Sequence, residues 1–207
     1  MQAVSAVDPT TVVLGFEDDT TVDVRQVDDV TWEVLRPLVY QAAWDRFVVP
    51  IGQRTDFASV PRVFVWLLPR YGRYTKAAIL HDYLWRVAVP AGRISLIDAD
   101  GILRQAMREL GVPFLRRWIM WAAVRWGALT KPGGRDGWLS QGWQVLPVSL
   151  VALPIVLPAA AVIAVTLPVF YLAELIAWVP LWIAHRAQVA LGMPTKTVNR
   201  PAMRWKS

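Results

Sequence analysis

The chain has 207 residues, enough for one domain with a proper core and an appendage but not for two large domains. Hydrophobic residues make up 55% and charged residues 18%, with 12 Trp and a mean hydropathy of +0.35, which is more apolar than an ordinary soluble domain and points to a membrane. The absence of cysteine excludes disulfides, thiol nucleophiles and cysteine-ligated zinc, leaving His, Asp and Glu as the strong metal ligands.

The net charge of +6 is unevenly distributed. Residues 1–45 hold nine of the sixteen acids and two of the 22 basic residues, so the remainder is strongly basic. A basic body suits anionic lipid headgroups or nucleic acid, and the apolar tail with interleaved Trp favours lipid. No nucleic-acid partner is expected. The opening stretch MQAVSAVDPTTVV lacks a basic segment followed by an apolar run, so no cleavable signal peptide is expected.

In chain order, TVVLGFE (11–17) and TVDVRQV (21–27) are rich in β-formers around a turn-like DDT and predict a hairpin. TWEVLRPLVYQ and DRFVVPIG add two candidate strands. After a short apolar VFVWLLP, the segment YTKAAILHDYLWRVA carries Ala77, Leu80, His81, Leu84 and Ala88 at helical spacing and ends at Pro90–Gly92. A second helix, SLIDADGILRQAMREL, opens on the capping-box spacing of Ser95 and Asp98 and stops at Gly111 and Pro113. A third, FLRRWIMWAAVRWGAL, mixes Trp and Arg, and TKPGGRDG reads as a linker.

Residues 137–173 carry no charge, and between 145 and 184 the one charged side chain is Glu174. Forty such residues are about twice the ~20 that one bilayer crossing needs. Pro154, Pro158 and Pro168 argue against one straight helix, and basic residues flank both ends, so the pattern predicts a membrane-embedded or interfacial helical hairpin with both ends cytoplasmic. A buried helix pair inside a larger assembly is the alternative. The expected organisation is an α+β domain over 1–130, with a small β-rich front and an antiparallel helical core, a linker over 131–144, the apolar hairpin over 145–184 and a basic tail over 185–207.

The candidate site lies on the first two helices. His81 shares the apolar face of the first, and Asp100 lies in line with Leu103, Met107 and Leu110 on the second. A short connection makes the helices antiparallel neighbours, so His81 and Asp100 can meet. A carboxylate that fixes the tautomer of a histidine makes it an oriented general base. Asp56 and Asp82 then remain as hard oxygen ligands, with backbone carbonyls from residues 52–59, for a calcium-type ion. The competing reading is a core histidine with one satisfied hydrogen bond, and an Asx-type turn in which Asp56 binds neighbouring amides. Ser59 lacks a nucleophile-elbow pattern.

The blocks VPIGQRTDFASVPR, WLLPRYGRYTKAAILHDYLWR and DADGILRQAM resemble an uncharacterised family common in bacteriophages and prophages, over roughly residues 31–127. The matching positions are Thr55 to Pro61, His81 to Leu84, Arg86 and Asp100, while Gln53 and Trp85 depart from the pattern. The resemblance implies a phage or prophage origin and brings no catalytic role with it. A fainter likeness, in the order and spacing of Asp56, His81, Asp82 and Asp100, is to the small bacterial phospholipases A2, although their cysteines and glycine-rich calcium loop are missing. Together these readings predict a calcium-assisted hydrolase of lipid or envelope esters, at the host inner membrane. The alternative is a non-catalytic virion or tail component, or a small membrane protein, and the expected partners are membrane lipids and other phage structural proteins.

Overall fold

The computed structural model describes residues 14–17, 21–57, 69 and 72–202. Its amino-terminal part forms two three-stranded antiparallel sheets. In the first, β1 (Gly15–Phe16), β4 (Leu38–Gln41) and β5 (Arg46–Val49) lie in the order β1-β4-β5. In the second, β2 (Val24–Gln26), β3 (Trp32–Val34) and β6 (Arg54–Thr55) lie in the order β2-β3-β6. The β4–β5 register sets Tyr40 against Phe47 and Leu38 against Val49, and the period of two turns Tyr40, Phe47 and Val49 to the interior.

Among the described residues, the strands of the hairpin expected between 11–17 and 21–27 do not pair with each other. β1 pairs with β4, where Phe16 meets the Tyr40 ring edge-on at 5.0 Å, and β2 pairs with β3. Two strands adjacent in sequence thus fall in different sheets, β1 beside the distant β4 and β2 in a hairpin with β3. Residues 11–13 and 18–20 of that expectation lie outside the described residues. TWEVLRPLVYQ also yields two strands, β3 and β4, divided at Pro37, and RTDFASVPR begins as the unforeseen short strand β6.

The helical part follows the periodicity closely. Helix α1 (Thr75–Tyr83) runs into a π-helical turn (Leu84–Ala88), and Gly92, at φ 70°, ends the segment in a left-handed conformation. α1 packs against β4, β5 and β6, burying Ala77, Ile79, Leu80 and Leu84 completely. Helix α2 (Leu96–Glu109) begins with the expected capping box, the Asp98 amide donating to Ser95 Oγ at 3.1 Å and the Ser95 amide to Asp98 Oδ2 at 3.3 Å. Helix α3 (Phe114–Ala128) packs on α2.

The expected linker is part of the packed structure. A side chain at Gly134 would overlap the Ala128 carbonyl, and one at Gly137 would strike Ile97. Helix α4 then runs without interruption from Trp138 to Ala190, 53 residues through Pro147, Pro154, Pro158, Pro168 and Pro180. The C-terminal apolar segment is therefore helical as expected, but as one helix where two joined by a turn were anticipated. Each proline removes a single N–H, and between residues 151 and 184 no Gly, Asn, Asp or Ser accompanies the prolines to reverse the chain. Val145 is the one fully buried residue of α4. Beyond Ala152 its apolar side chains are mostly exposed.

Candidate functional site

His81, in the last turn of α1, lies opposite Asp100, in the first turns of α2. His81 Nε2 is 2.8 Å from Asp100 Oδ1, so the expected dyad geometry is present. The His81 side chain retains 14% exposure and Asp100 has none. His81 Nδ1 makes no hydrogen bond with the described residues.

Two residues not foreseen as members complete the surroundings of Asp100. Trp85, from the π-helical turn, donates Nε1–H to the same Oδ1 at 3.0 Å, and Arg125 of α3 donates Nη1–H to Oδ2 at 3.0 Å. Trp85, one of the two departures from the family pattern, thus touches the polar set directly. Trp85 shares the first helix with His81, one turn on, and its indole reaches the same oxygen. Arg125 is fully buried, and its Nη2 also donates to the Asp136 carbonyl at 2.8 Å, so the linker backbone holds the guanidinium in place. Burial alone would raise the Asp100 carboxyl. The donors from His81, Trp85 and Arg125 outweigh it and hold the group below the ordinary carboxylate range.

Asp82 and Asp56 form the other half of the site. Asp82 Oδ2 accepts the Thr55 hydroxyl at 2.5 Å and the Asp56 amide at 3.3 Å, while Thr55 Oγ1 accepts the Phe57 amide at 2.9 Å. The turn after β6 is thus pinned to α1 by the Asp82 carboxylate, while the amides beyond Phe57 that an Asx turn at Asp56 would engage lie outside the described residues. Phe57, buried against Trp32, is held at φ 64°, the left-handed region that non-glycine residues seldom adopt. Burial, and next the negative charge of Asp56, push the Asp82 carboxyl up to about 6. Asp56 Oδ1 faces Arg86 Nη2 at 3.7 Å. Among the described residues no group of three or more His, Asp or Glu side chains is arranged to hold a metal ion. Of the carbonyl donors expected from residues 52–59, those of Ala58 and Ser59 lie outside the described residues, as does the Ser59 side chain.

The structure thus places His81 against Asp100 and Asp82 against the Asp56 amide, and adds Thr55, Trp85 and Arg125 as partners that the sequence did not single out. A cleft lined by Tyr40, Trp44, Ile97, Gln105 and Glu109 contains none of these seven residues.

A family model described as a protein of unknown function (DUF1353) matches residues 32–124. The matched stretch runs from β3 into α3, taking in the turn after β6, His81, Asp82 and Asp100. It stops one residue short of Arg125 and leaves α4 outside. No curated protein and no solved structure matches the chain.

Proposed function

We propose that the chain is a phage or prophage membrane protein, anchored by α4 in a single crossing, whose α+β domain hydrolyses lipid or envelope esters at the membrane surface. The observation that carries the anchoring is α4 itself: one helix long and apolar enough to cross a membrane, with only 6% of its most apolar window buried. At 1.5 Å per residue its 53 residues extend about 80 Å, well beyond a hydrocarbon core of ~30 Å. Leu153 to Ala173 carry no charge and extend about 31 Å, which matches one crossing. Glu174 follows at its end, and beyond it Trp178 and Trp182, 5.8 Å apart, with Arg186 over the Trp182 ring, have the character of an interfacial belt.

The hydrolytic reading rests on His81 having one nitrogen on Asp100 and the other without a protein partner among the described residues. Nδ1 takes a proton from water, the hydroxide adds to the ester carbonyl, and Asp100 stabilises the imidazolium until the proton passes to the leaving alkoxide. Asp56 and Asp82 would be the hard oxygen donors for calcium, which would supply polarisation of the ester carbonyl. Arg86 is the cation that calcium would displace from Asp56. The test is release of fatty acid or other acyl product from phospholipid vesicles by the reconstituted full-length protein, with and without millimolar calcium. Turnover that falls at least a hundredfold in His81→Gln supports the reading, and equal turnover in the variant contradicts it.

The second reading, a non-catalytic phage component held at the host membrane, is favoured by the Asp100–Arg125 pair. Both side chains have no exposure, as in a buried pair that fixes the packing of α2 on α3. On this reading His81 is a further donor to that pair, and no ester is turned over under any metal condition.

A further inference from the structure

We infer that the corner between α2 and α3 docks on the anionic headgroups of the same bilayer that α4 enters. The inference rests on the proposed anchoring and adds which surface of the domain faces the lipid. The chain turns at this corner through Gly111, at φ 69°, with the Val112 amide on the Met107 carbonyl at 2.9 Å, and α3 starts at Phe114. Phe114 and Leu115 project there with 66% and 44% exposure. Five arginines belong to this corner, Arg73, Arg104, Arg108, Arg116 and Arg117. Arg117 lies over the Phe114 ring at 5.2 Å, and Arg104 over Trp118 and Trp121 at 4.2 and 4.8 Å. Arg116 is close enough for its charge to act on Tyr74, and Arg73 Nη1 approaches Gly111.

Among the described residues no carboxylate pairs with the cluster. Burial and then the like charges of Arg117 and Arg108 lower the pKa of Arg104, and none of the five arginines forms an ion pair with a carboxylate among the described residues. Glu109, the nearest acid in sequence, is engaged with Gln105 at 2.7 Å and with the β1 side of the domain. Unpaired arginines around two projecting apolar side chains suit a surface that is anionic at the headgroup and apolar just beneath it. A nucleic acid would take the arginines but leave Phe114 and Leu115 without an apolar partner. Position agrees with chemistry: Arg104 Nη1 is 3.5 Å from Gln144 Oε1 of α4, and α4 makes its last core contacts two turns later, at Val148 and Ala152. The Arg104 edge of the patch therefore lies against the anchor helix.

The chain has no cysteine, so Leu115→Cys and, as a reference on the β2–β3 turn, Val30→Cys each give one labelling site in the full-length protein. Each is labelled with an environment-sensitive nitrobenzoxadiazole dye and reconstituted into vesicles of phosphatidylcholine with 30% phosphatidylglycerol, or of phosphatidylcholine alone. The expected result is blue-shifted emission at position 115, quenched by spin-labelled lipid, that is stronger with phosphatidylglycerol, and aqueous emission at position 30. Changing Arg108, Arg116 and Arg117 to Gln should abolish the shift at 115 while the protein still floats with the vesicles. Flotation with aqueous emission at 115 in both lipids overturns the docking surface and leaves the anchor standing. Failure to float overturns the anchor on which it rests. Arginine-dependent binding of a 30-nucleotide single-stranded DNA, with position 115 aqueous in vesicles, overturns it in favour of a nucleic-acid surface.

Discussion

Asp100 is the polar centre of the domain, and its three partners are unequal. Replacing His81 by Gln removes one donor from a side chain that retains 14% exposure and leaves the Arg125 pair intact, so it should cost about 1 kcal/mol. Replacing Asp100 by Asn leaves a fully buried guanidinium without its counter-charge and should cost about 3 to 5 kcal/mol. Urea unfolding of both variants in the same detergent checks the asymmetry, and equal losses would mean that Arg125 contributes nothing to the network. The two aspartates should also respond oppositely to pH. The lowered Asp100 gives stability that is present above its unfolded value and lost as pH falls through the folded one. The Asp82 carboxyl is raised to about 6, so its contribution is complete below the unfolded value near 4 and declines as pH rises to 6. Asp82→Asn keeps an acceptor for the Thr55 hydroxyl and removes the charge. At pH 7 it should therefore be more stable than the parent by about 1 to 3 kcal/mol, with the difference gone by pH 4. Thermal melts across that range measure it. A calcium-binding pair adds an expectation of its own: millimolar calcium should raise the melting temperature of the parent and not that of Asp56→Asn or Asp82→Asn.

At the level of elements, the helices were readable because their signals are local. The period of 3.6 in YTKAAILHDYLWRVA, the Ser95–Asp98 box and the Gly111 stop each act within a few residues, and the short connection before Ser95 brought His81 and Asp100 together in advance. The strands were less legible because their partners are distant: nothing in the local alternation near Phe16 says that its neighbour is Tyr40. Arg125 escaped notice because it lies in a helix where arginine and tryptophan alternate on several faces. The signal that could have found it is the requirement that a buried aspartate have a cationic partner, together with apolar Trp121 and Ala122 one turn before it. The prolines of α4 misled in the other direction. Helix breakers in water, they are accommodated here in one continuous helix, and Thr166 donates its hydroxyl to the Val162 carbonyl within the same apolar stretch. One helix with one crossing means that reporter tags at residue 133 and after residue 207 should face opposite sides of the membrane. The same side for both would restore the hairpin.

For the whole molecule, the division of charge takes on a spatial meaning. The acidic front supplies β1 to β4 and the basic remainder supplies β5, β6 and the helices, with Arg104 of the arginine corner against Gln144 of α4. An 80 Å helix tethered at one end to an α+β domain would hold the His81 site at a set height above the bilayer, which is what an enzyme or a recognition module acting at a membrane requires. Everything in this arrangement depends on α4 residing in lipid. The most direct measurement is to express the full-length chain in bacteria, wash the membranes with alkaline carbonate and follow the protein by immunoblot. The account predicts that it stays in the membrane pellet and is released only by detergent. Recovery in the carbonate supernatant, or as a soluble monomer without detergent, would contradict it.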